Sequence, residues 1–140
     1  MVEEPFAGLL ARPGGKPRSR GLTCIRGPYY APVGAHYLED LLTALGEHVD
    51  ALQYAGGSFM LMAAAAVRQL HDSAHAQDVT VSTGGFLERV LSWGEAYIDG
   101  YLRACRQLEF DVIEVSSVQL AALRTGAWGS AQAWESWHVA

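Results

Sequence analysis

Only two cysteines, Cys24 and Cys105, occur in the chain. Two cannot build the disulfide framework of a small secreted domain, so a reducing compartment is the expected setting. Long apolar runs are missing too. The longest, residues 59–67, falls far short of the roughly 20 residues that a membrane-spanning helix needs. The opening Met1-Val2-Glu3-Glu4-Pro5 has neither the basic start nor the apolar core of a secretory signal. A cytoplasmic location is expected on these grounds. Positive charge is in the minority, with 10 basic against 15 acidic residues and a net charge of −5. Neither nucleic acid nor an anionic membrane is therefore expected as a partner.

What remains is a globular composition, 50% hydrophobic over 140 residues. The scarce basic residues are bunched: Arg12, Lys16, Arg18, Arg20 and Arg26 lie close together near the N-terminus. No aromatic residues interleave with them, which disfavours a stacking platform for single-stranded nucleic acid. A solvated loop or a site for a small anion both stay open.

Pro5, Pro13, Gly14, Gly15 and Pro17 make residues 1–20 an irregular lead-in. Strand-like and helix-like stretches then alternate. Strands are expected at Leu22–Arg26, Val49–Ala55, Val79–Thr83 and Phe110–Ser116, each closed or preceded by glycine or polar punctuation. Between them, residues 35–46 carry Tyr37, Leu38, Leu41, Leu42 and Leu45 on one helical face, with Gly46 as the cap. Residues 62–76 place Ala63, Val67, Leu70 and Ala74 in a second stripe. A short turn through Leu87, Val90 and Leu91 leads to a third stripe of Tyr97, Ile98, Tyr101, Leu102, Cys105 and Leu108. Such alternation predicts an α/β fold with parallel strands, whose C-terminal ends share one edge. Arg26, Gly56-Gly57-Ser58, Ser82 to Gly85, Glu114 and Ser116 gather there, where ligands of parallel sheets bind.

From Ser117 the rhythm stops. Trp128, Trp134 and Trp137 fall close together with no strand period, so residues 117–140 are expected as a divergent tail. A frameshift, an alternative exon or a mispredicted gene end explains such a tail more simply than a designed element.

Four segments carry a family resemblance in order: Lys16-Pro17-Arg18 with Gly21-Leu22-Thr23, Gly56-Gly57-Ser58 before Leu61-Met62, Val81-Ser82-Thr83-Gly84-Gly85, and Phe110 through Ser116. Over residues 12–116 the chain resembles the N-terminal half of the phosphosulfolactate synthases. Arg26-Gly27-Pro28-Tyr29-Tyr30 is closer to the eukaryotic branch, which includes a heat-stress-associated plant protein. The resemblance implies a partial (β/α)8 barrel over residues 21–116. It also implies the family reaction, magnesium-dependent addition of sulfite to phosphoenolpyruvate, a step towards coenzyme M. That chemistry brings a phosphate, a carboxylate and sulfite together, so cations must offset repulsion and hold a developing enolate. Arg18 and Arg26 are the guanidinium candidates for the anions. Glu114 is the candidate magnesium ligand or acid. Ser58, Ser82 and Ser116 are candidate substrate contacts. Glu88 is a weaker candidate, read chiefly as an acid in a helix's first turn.

The chain also departs from the family. Gln53 stands where the synthase pattern has lysine, and an amide brings no charge. Asp78 and Glu109 stand where the family has glycine at helix ends. A whole barrel takes at least about 200 residues. The chain alone is therefore expected to be inactive, with a non-enzymatic homologue acting through protein contacts as the alternative. In a half barrel the first and fourth strands keep unpaired edges, and self-association is expected. His71 and His75 have the spacing of a metal pair, but no third ligand is near, and they are read as structural or surface residues. Gly84-Gly85 is not a dinucleotide fingerprint. Both cysteines are read as core.

Overall fold

Residues whose side chains alternate between water and apolar surroundings make the frame of this molecule. The computed structural model describes residues 14–27, 34–116 and 134–138. Strand β1 is Cys24–Gly27, β2 Ala51–Tyr54, β3 Thr80–Gly85 and β4 Val112–Ser116, and these four pair in parallel in that order. Helix α1 (Ala35–Leu45) joins β1 to β2, and α2 (Ala64–His75) joins β2 to β3. Two helices, α3 (Leu87–Trp93) and α4 (Ile98–Gln107), join β3 to β4. The result is a partial βα barrel.

One sheet face meets the helices. Leu52, Tyr54, Val81, Thr83, Ile113 and Val115 point there and are buried. They pack against Leu38 and Leu42 of α1, Val67, Leu70 and Ala74 of α2, and Tyr101 and Cys105 of α4. Each such leucine or valine contributes about 1.5–3 kcal/mol on leaving water. The helical stripes are narrower than the sequence predicts. Tyr37 and Leu45 are 61% and 52% exposed, and Tyr97 and Leu102 are exposed as well, because each helix has only the sheet and a neighbour to cover one side. Gly46 is not a left-handed cap. Its φ of −56° continues into a 3-10 turn, Gly46–His48.

His71 joins this core. It is 1% exposed, its Nδ1–H donates to the Leu108 carbonyl at 2.6 Å, and its ring lies edge-on to Tyr54 and Phe110. His75 on the next turn has a different partner, a hydrogen bond between its Nε2 and an Asp111 carboxylate oxygen at 2.8 Å. No group of three His, Cys, Asp or Glu residues suited to a metal occurs among the described residues. Burial holds the His71 pKa below its ordinary 6.5, with the Leu108 carbonyl, Asp111 and Glu109 pulling it up and His75 pulling it down. The folded state thus binds this proton less readily than the unfolded chain. Stability from His71 is complete above about pH 6.5 and drains away as pH falls below it, with a slope of up to about 1.4 kcal/mol per pH unit. Urea denaturation at stepped pH checks this. His71→Gln keeps a donor for Leu108 and should flatten the profile between pH 6.5 and 5; an unchanged slope would place the acid sensitivity elsewhere.

Asp78 and Glu109 have φ of +52° and +64°, left-handed as expected at positions the family gives to glycine. Each costs about 1 kcal/mol relative to a relaxed backbone.

Two sequence expectations change. The tail contains a strand: β5, Trp134–His138, pairs antiparallel with β4 from Val112↔His138 to Ser116↔Trp134. The fourth strand's outer edge is therefore covered, and among the described strands β1 and β5 form the two edges of the sheet. Sequence periodicity misses β5 because a single edge strand has no repeat to betray it. Cys24 is not core either. It is exposed on the sheet face away from the helices, whereas Cys105 is buried. Arg12, the Pro28-Tyr29-Tyr30 part of the branch motif and Trp128 lie outside the described residues.

Candidate functional site

The sheet face that turns away from the helices forms an open concavity in which polar and charged side chains stand among apolar ones such as Leu22 and Val112. It encloses about 680 Å3, lined by Arg18, Cys24, Arg26, Gln53, Thr80, Ser82 and Glu114 among others. Its key row follows from strand register. Arg26, Gln53 and Ser82 are each the third residue of their strand and are direct partners across β1, β2 and β3. Glu114 is the third residue of β4.

Glu114 ties the row together. Gln53 donates through Nε2 to its Oε2, and the Ser82 hydroxyl donates to its Oε1. Both carboxylate oxygens thus accept a hydrogen bond from another strand. Gln53 contributes a hydrogen bond and no charge. Arg26 lines the same concavity one strand away.

Arg18 is held differently. Its Nε and Nη2 grip both oxygens of Asp50 at 2.9 and 2.8 Å, and its Nη1 donates to the Glu47 carbonyl at 2.8 Å. Arg18 and Asp50 are 8% and 9% exposed. Asp50 also accepts the Thr23 N–H, so it pins the lead-in against the start of β2. The Arg18 hydrogen bond is the chief reason the Asp50 carboxyl sits below its usual range, with burial opposing. This buried pair cancels its own charge, and Arg18 reaches the concavity as a clamp. Cys24 sits beside the row, its thiol pushed up by partial desolvation and by Glu114, with Arg26 opposing. A raised pKa lowers the share of nucleophilic thiolate at neutral pH.

The remaining candidates separate from this row. Ser58 begins the 3-10 turn Ser58–Leu61, away from the concavity, with its hydroxyl buried and without a partner among the described residues. Ser116 ends β4, and its side chain lies outside the described residues. Glu88 is buried in the first turn of α3 and does not line the concavity. The sequence pattern does not mark Asp50, and it places Thr83 at this edge without a role of its own. An acidic residue near the start of an expected strand was the available signal for the first.

A parallel sheet backed by helices, with an arginine, an amide, a hydroxyl and a carboxylate in one row of its open face, has the architecture of a partial βα barrel. The family model described as (2R)-phospho-3-sulfolactate synthase matches residues 12–130, reaching past residue 116 where the sequence motifs end. Protein HEAT-STRESS-ASSOCIATED 32 of Arabidopsis thaliana is 36% identical over 102 residues, covering 73% of this chain and 36% of that protein. The chain belongs to the phosphosulfolactate synthase family. It spans about a third of the length of that plant relative.

Proposed function

We propose that the concave face is one half of a synthase-type anion site, and that the 140-residue chain does not itself join sulfite to phosphoenolpyruvate. The hydrogen bond from Gln53 to Glu114 carries this reading. Where the family pattern has a cation, this chain has a neutral amide already spent on a carboxylate. Arg18, held by Asp50, and Arg26 are the two arginines among the described lining residues. A reaction that crowds three anionic groups needs more positive charge than that. In a complete site Arg26 would hold substrate carboxylate or phosphate, with Ser82 steadying the carboxylate of Glu114.

The family's magnesium fits these residues in a limited way. Magnesium characteristically takes one or two carboxylates and fills its shell with water and substrate oxygens. Glu114 is the residue that would hold it, since Asp50 is engaged by Arg18. When bound, it would supply positive charge against a developing enolate.

The test is incubation of the purified chain with phosphoenolpyruvate, sulfite and magnesium. No product above the protein-free control is expected. Product that disappears in Arg26→Ala would overturn the reading.

A second reading, a homologue acting through protein contacts, is favoured by an apolar groove on the helical side. Met60, Trp93 and Tyr97 line it and are exposed. With the open edge of β1, these surfaces support self-association of the chain. Light scattering is expected to show species larger than a monomer, and a monodisperse monomer would refute it.

A further inference from the structure

We propose that Thr83 is the positioning residue of Glu114, acting through a bulge in β3. Ser82 stands opposite Val112, but Gly85 stands opposite Glu114, so β3 advances three residues while β4 advances two. Thr83 and Gly84 together stand opposite the single residue Ile113. Gly84 takes the kink with φ +63°. A bulge of this kind removes ladder partners and re-aims side chains.

Two hydroxyls repair the gap. The Glu114 N–H donates to Thr83 Oγ1 at 3.2 Å, and that hydroxyl donates onward to the Gly84 carbonyl at 3.0 Å. The Gly84 N–H donates to Ser82 Oγ at 3.1 Å, and Ser82 donates to the Glu114 carboxylate. The hydrogen bonds thus run from both groups of Gly84 through one hydroxyl each to Glu114, one at its backbone and one at its side chain. Thr83 is 0% exposed and faces the helices, so it never touches a ligand. Its oxygen stands in for a strand carbonyl and fixes the height of Glu114, where the carboxylate meets Gln53 and Ser82 together. The inference concerns the row's geometry and holds whether or not the row takes the anions proposed above.

Thr83→Val keeps the shape and removes the acceptor; Thr83→Ser restores it. Nuclear magnetic resonance of the chain reads the outcome at Gln53, whose Nε2 protons report the contact with Glu114. In Thr83→Val these resonances should move to free-amide positions, and exchange of the Glu114 amide should quicken by at least about tenfold. Thr83→Ser should retain the wild-type values of both. A purely packing role for Thr83 would leave the Gln53 resonances unmoved in Thr83→Val, and that result overturns the proposal. If Thr83→Val does not fold, the wild type decides. A Glu114 amide protected by at least about a hundredfold supports the proposal, and one exchanging at an open-chain rate overturns it.

Discussion

Gly84→Ala is expected to remove about 3 kcal/mol or more of folding stability, a large share of what a domain of this size possesses. Two costs add. The residue has φ +63°, where a side chain costs about 1 kcal/mol. The larger cost is steric: a Cβ there would be driven into the Tyr54 carbonyl oxygen, which is strand backbone and cannot swing aside. Tyr54 itself is buried among Phe59, His71 and Phe110, so a shift of β2 would disturb the aromatic core. Gly100, inside α4 with open space around its Cα, is the matching control. Gly100→Ala should be neutral or stabilising by up to about 1 kcal/mol. Denaturant titration of both variants reads the difference. A Gly84→Ala protein within about 1 kcal/mol of wild type would mean that β3 does not kink there.

That glycine also shows where the sequence stops being legible. Alternation of polar and apolar residues locates all four parallel strands, because each strand has one face on the helices and one on the concavity. It also suggests which residues share the concave row, since Arg26, Gln53, Ser82 and Glu114 occupy equivalent places in their strands. The bulge was invisible. Val81-Ser82-Thr83-Gly84-Gly85 reads as a strand stopped by glycines, whereas β3 runs through both of them. The difference is set by pairing with β4, about thirty residues away. Thr83's role depends on that non-local pairing, so no local pattern contains it. His71, expected to be structural or at the surface, is settled by a similarly distant contact. The Leu108 carbonyl, which meets its ring, lies 37 residues away in the chain and places it in the core. Arg18 looked like an anion ligand because its partner, Asp50, is distant in sequence and adjacent in space.

The second large effect is expected from Gln53→Lys. An ammonium at this position would pair with Glu114 and offset the negative charge that faces an incoming anion. The amide it replaces is 9% exposed, and its row neighbours Arg26 and Ser82 line an open concavity, so the longer side chain has room at its tip. The gain should be electrostatic and should shrink as salt is added. Arg26→Ala should act in the opposite direction and weaken anion binding.

Isothermal titration of phosphoenolpyruvate into the wild-type chain and Gln53→Lys, at low and at physiological salt, tests the central claim most directly. The account predicts binding about tenfold tighter in Gln53→Lys, equivalent to about 1.4 kcal/mol, with the advantage reduced at higher salt. Equal affinities for the two proteins under both conditions would contradict it, and would mean that the row of Arg26, Gln53, Ser82 and Glu114 is not an anion site lacking one cation.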